Sequence, residues 1–86
     1  MPRSETVELN KRAGHGDAEA ALALLERSMA RGHGRIGLLR YLHARCVGAP
    51  LARRHHDYAE RVASRMSEGA FAALVAQAQR RHSMAA

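Results

Sequence analysis

The chain has 86 residues and a formal charge of +6, and 18 of its 40 hydrophobic residues are alanine. Val, Ile and Thr together number six and Trp is absent, which argues against a sheet, because strands are built from β-branched and aromatic residues. The single cysteine, Cys46, excludes an internal disulfide and fits a reducing compartment, and no apolar run approaches the roughly 20 residues of a membrane span.

Gly and Pro divide the chain into segments that read as helices. The first covers 4–13 and ends at Gly14. Ser4 caps it, Glu5 and Glu8 suit its N-terminal end, and Lys11 and Arg12 suit its C-terminal end. The second opens after Gly16 on Asp17, an N-cap, with Glu19 in the first turn. Ala18, Leu22, Leu25 and Met29 follow at spacings that make one helical face. Arg27 and Arg31 close its last turns and Gly32 ends it.

The third helix is expected over 35–47, with Ile36, Leu39, Leu42 and Cys46 on its inner face and Leu38 and His43 beside them. Gly48-Ala49-Pro50 breaks the chain, since proline disfavours helical geometry in the residue before it. The fourth helix covers 51–66, with a stripe of His55 or Tyr58, Ala59, Val62, Ala63 and Met66. Asp57 and Arg61, four apart, make a surface pair. Ser67 caps a last helix over 68–81, striped by Phe71, Leu74, Val75 and Ala78.

The expected fold is therefore all-α: four to five short helices in a small antiparallel bundle or helix-hairpin array. It forms one domain over 1–86, with 1–3 and 83–86 frayed. The polar start MPRSETVELNKR has no signal-peptide core, so the expected location is the cytoplasm, with no membrane contact. At ~25 cal/mol per Å² of buried apolar surface, an alanine-rich core of this size only just offsets chain entropy. That argues for a second copy or a partner, and a homo-oligomer is expected.

Gly14-His15-Gly16-Asp17-Ala18-Glu19-Ala20-Ala21, with Leu24 and the later Gly32-His33-Gly34, resembles the start of a Sel-type repeat, a relative of the tetratricopeptide repeat. The resemblance covers about 20 residues and implies paired antiparallel helices that stack into a protein-binding scaffold. Ser28 stands where such repeats carry a tyrosine, and Val62 lies nearest the position of their Trp-Tyr pair.

Charge is distributed unevenly. From Arg27 to His56 there is no acidic residue, while Arg27, Arg31, Arg35, Arg40, Arg45, Arg53 and Arg54 all fall there, with His33, His43, His55 and His56. Seven like charges without a local counterion attract polyanions. Thirteen of the 14 basic residues are arginine. That bias suits forked hydrogen bonds to carboxylate or phosphate, and a GC-rich, bacterial-type genome produces it equally. The candidate partner-binding residues are Arg31, Arg35, Arg40, Arg45, Arg53, Arg54, His55 and His56.

A helix-turn-helix formed by the third and fourth helices would present Arg53, Arg54, Asp57 and Arg61, but it lacks base-reading Asn and Gln. His43, Cys46 and His55 are too loosely spaced for a closed zinc site, so no metal is expected. Gly32-His33-Gly34 follows a helix and not a strand, unlike a phosphate-binding loop. Cys46 beside Arg45 has no evident base to activate it. No catalytic or cofactor motif is present, and the chain is not expected to be an enzyme. Its expected role is a helical protein-interaction module or adaptor that docks an acidic protein. A small nucleic-acid-binding or regulatory protein using the same arginines is the alternative.

Overall fold

The computed structural model describes residues 11–13 and 16–85, apart from the side chains of 82–85. Most of the expected first helix, including Ser4, Glu5, Glu8 and the Gly14 end, lies outside the described residues. Residues 11–13 are helical. Four helices follow: α1 Ala18–Arg31, α2 Gly34–Cys46, α3 Arg53–Ser64 and α4 Glu68–Ala85. No strand occurs among the described residues, and the protein is an all-α fold.

Local chemistry sets the helix ends. Gly16, Gly32 and Gly48 have φ of 84°, 70° and 74°, a left-handed conformation that a side chain would strain. At Gly32 the bonds Gly32 N–H to Met29 O (3.2 Å) and His33 N–H to Ser28 O (2.9 Å) form a Schellman motif. The same pair of bonds recurs at Gly48, from Gly48 N–H to Arg45 O and from Ala49 N–H to Ala44 O. Asp17 caps α1 by accepting the Ala20 N–H at 3.0 Å, and Ser67 Oγ accepts the Ala70 N–H at 3.1 Å at the start of α4. Both caps stand where the sequence puts them. α3 begins at Arg53 and not at residue 51, and α4 continues to Ala85, past the expected end at Arg81.

α2 packs against α1, α3 and α4, so it is the central helix. α1 and α2, joined by Gly32 and His33, form a helical hairpin. The central position explains why the expected inner face of α2 is rotated. Its buried residues are Gly37, Leu38, Leu39, Tyr41 and Ala44. Ile36 is 52% exposed and Cys46 is exposed. Phe71 of α4, expected in the core, is 37% exposed.

The core has two parts. Leu25, Leu38, Leu39, Tyr41, Tyr58, Ala59, Leu74 and Ala78 form one cluster, with Leu22 packed at its edge. Ala13, Ala20, Ala21, Leu24 and Ala44 form the other. Leu51, ahead of α3, packs against both. The buried face of α1 is Ala20, Ala21, Leu24, Leu25 and Ser28, not the stripe centred on Leu22 and Met29. Leu24 and Leu25 are buried by the single chain in separate clusters.

Candidate functional site

The basic residues expected to bind a partner separate into three groups once placed. In the first, Arg31, Arg35 and Arg45 are exposed, and Arg40 is half-buried. Among the described residues none of Arg27, Arg31, Arg35, Arg40 and Arg45 reaches an acidic side chain. The Arg45 guanidinium instead lies 5.8 Å from the centre of the Tyr41 ring, a cation–π contact. Burial, and then the charge of Arg81, push the Arg40 guanidinium below the usual arginine value. Arginine nonetheless stays charged at neutral pH.

Arg53 and Arg54 form the second group, in the first turn of α3. Arg54 Nη2 meets Glu26 Oε2 at 2.5 Å, an ion pair between α3 and α1. Arg53 Nε lies 3.8 Å from Asp57 Oδ2, so Asp57 reaches back to Arg53. Both pairs are exposed and each contributes at most about 1 kcal/mol. They still neutralise part of the charge that the acid-free stretch of sequence implies.

The histidines form the third group. His55 is 2% exposed and belongs to the core, not to a binding surface. It stands at the third residue of α3, where its ring turns inward and Nδ1 accepts the Ala52 N–H at 2.8 Å. That bond satisfies a donor at the helix start. Burial, followed by the charge of Arg54, holds the His55 pKa below its ordinary 6.5, so its neutral form is favoured and it has little charge to offer a polyanion. His56 is exposed, yet its Nδ1 is 2.6 Å from the Tyr41 hydroxyl. The rings of Tyr41 and His56 meet edge to face, with centroids 5.6 Å apart.

Of the residues considered for metal binding, His43 and His55 have other partners and Cys46 is exposed. His43 Nε2 donates to Ala13 O at 2.9 Å, tying the end of the first helical segment to α2. Among the described residues no three His, Cys, Asp or Glu side chains gather as ligands. The helix-turn-helix reading meets a second obstacle here. Residues 47–52 separate α2 from α3, longer than the motif's turn of about three to four residues. Tyr41 and Tyr58 are both 8% exposed, so neither offers a face for stacking bases.

What sequence reasoning missed is a cleft of about 160 Å³ on the α1–α2 hairpin, lined by Arg27, Ser28, Arg31, His33, Ile36 and Arg40. No acid lines it. Both terminal nitrogens of Arg27 are buried without a hydrogen-bond partner. The signal was present in the sequence: Arg27 and Arg31 are four apart on α1, and Ile36 and Arg40 are four apart on α2. No described helix is long and apolar enough to cross a membrane. No known family, no curated protein and no solved structure matches this chain.

Proposed function

We propose that this protein is a small helical interaction module, not an enzyme, that docks an acidic partner protein on the basic face of its α1–α2 hairpin. The observation that carries this reading is that Arg27, Arg31 and Arg40 line one cleft beside Ile36, and among the described residues none of them forms an ion pair with an acid. Unpaired arginines at this density are destabilising by self-repulsion unless a polyanion meets them. Ile36, 52% exposed, lies among them. An exposed apolar side chain within a charged rim suits a protein partner better than a phosphate backbone. The buried tyrosines and the acidic Asp57 on the outer face of α3 weigh against nucleic acid.

The docked partner is a different, acidic chain, and the homo-oligomer for which the alanine-rich core argues is part of this proposal. A cytoplasmic setting belongs to the same proposal and accords with a free, exposed Cys46. The Sel-type resemblance of α1 and its flanking glycines also fits a binding role.

Calorimetric titration with a peptide of Glu-Glu-Leu repeats and with duplex DNA tests the reading, at roughly 50 and 200 mM salt. Peptide binding that persists at the higher salt, with DNA binding weak or absent there, is expected. DNA binding tighter than peptide binding at both salts would replace the reading with the nucleic-acid alternative.

A further inference from the structure

We infer that the cleft between α1 and α2 is a carboxylate-binding site, in which Arg27 and Arg40 grip an acidic side chain of the partner while Ile36 receives an adjacent apolar one. This inference rests on the proposed function and gives its docking surface a specific anchor. Arg27 of α1 is half-buried. Among the described residues no hydrogen bond satisfies its Nη1 and Nη2, which are closed off from solvent, so a carboxylate reaches them only as the side chains over the cleft part to admit it. A buried guanidinium without an anion is costly, because it loses hydration and gains nothing in exchange.

The neighbours intensify that imbalance. Arg31, Arg40 and His33 line the same cleft, and among the described residues no acid contributes to the lining. Arg81 of α4 adds further positive potential at Arg40. Three arginines therefore converge on a space of about 160 Å³. A carboxylate there would accept paired N–H donors from a planar guanidinium, the geometry that arginine favours. Ile36 at the rim supplies apolar area that a bare phosphate would not use. The ligand that fits is an Asp or Glu side chain flanked by an apolar residue.

The test uses the full chain and a fluorescein-labelled peptide of Glu-Glu-Leu repeats, followed by anisotropy. Arg27→Met is expected to weaken binding by about tenfold or more while raising the melting temperature, because it removes a buried unpaired charge. A purely structural arginine would lower the melting temperature instead. Arg40→Gln serves as the second variant and is expected to weaken binding by about tenfold as well. If the peptide binds wild type but both variants bind it within about twofold of wild type, the cleft is not the anchor, while the proposed function stands. If the peptide does not bind wild type, the proposed function fails and the cleft assignment fails with it. Tighter binding, by about tenfold, in a Glu5→Gln, Glu8→Gln variant would show that an acid of this chain fills the cleft, overturning the inference. Inorganic phosphate that displaces the peptide at equal concentration would make this a phosphate site and overturn it too.

Discussion

Tyr58 of α3 lies directly across Gly37 of α2, so closely that a methyl group on Gly37 would overlap the Tyr58 hydroxyl and sit 2.8 and 2.9 Å from ring carbons Cζ and Cε2. The hydroxyl donates to His33 O at 2.8 Å, a carbonyl that also accepts the Gly37 N–H at 2.7 Å. One tyrosine thus fills the gap between two helices and ties α3 to the first turn of α2.

Gly37→Ala should destabilise the protein. Alanine is the better helix former by about 1 kcal/mol, but overpacking costs about 1–3 kcal/mol, and displacing the Tyr58 hydroxyl loses about 0.5–1.5 kcal/mol more. The net expectation is a loss of about 1–3 kcal/mol in denaturant unfolding. In a Tyr58→Phe background the same change should cost less, because the hydroxyl overlap is gone. Equal costs in both backgrounds would refute the contact.

The two-part core predicts unequal roles for two adjacent leucines. Leu25, 0% exposed, packs in the cluster shared by α2, α3 and α4, and Leu25→Ala should cost about 2–5 kcal/mol. Leu24 packs among small alanines that include Ala13. Leu24→Ala should also destabilise, and should loosen the attachment of the first helical segment, read as faster amide exchange at Ala13. Exchange at Ala13 that responds to Leu25→Ala and not to Leu24→Ala would contradict the division.

Helix ends were legible in the sequence because they depend on single residues with local effects: Asp17, Gly32 and Ser67 act where a reader finds them. The face of α2 was not legible. Weight of apolar side chains places Ile36 and Cys46 inward, but a helix covered on three sides is ordered by shape. Gly37 is buried because Tyr58 needs its empty space, a relation between residues 21 positions apart. His55 fits the apolar stripe of α3 and also falls in the run of basic residues. Only its bond to the Ala52 N–H decides between those readings. The charge of the middle region was legible as a sum, whereas its partial neutralisation by Glu26 depends on how α1 meets α3.

Mild acid should weaken the fold through His55. Its folded pKa lies below the 6.5 of the unfolded chain, chiefly through burial, with Arg54 and His56 adding to the depression and Glu26 opposing it. The unfolded chain therefore binds the extra proton first as pH falls. No penalty exists well above pH 6.5. It grows as pH drops below that value and levels off beneath the folded pKa. His55→Leu should flatten the dependence of melting temperature on pH between about 5 and 7. An unchanged slope would show that other groups cause it.

Asp17 acts in a lower window. The Ala20 N–H, then Arg12, hold its carboxylate below the usual 3.8. A depressed carboxylate stabilises the fold above its unfolded pKa, and the contribution disappears as pH falls through the folded value. Asp17→Ala should lower the melting temperature at pH 7, and the difference from wild type should vanish in strong acid. A difference that persists there would mean that the cap does not act through its charge.

The most direct test compares two charge reversals for affinity to the Glu-Glu-Leu peptide. Arg31 and Arg35 are exposed and face no acid among the described residues, whereas Arg53 and Arg54 are already paired with Asp57 and Glu26. Arg31→Glu with Arg35→Glu should weaken binding by at least about tenfold, or 1.4 kcal/mol, with the fold intact. Arg53→Glu with Arg54→Glu should weaken binding less and should cost up to about 1 kcal/mol of stability, because Arg54→Glu faces Glu26 with a like charge. If the first variant binds the peptide as wild type does, the α1–α2 face is not a docking surface and the account fails.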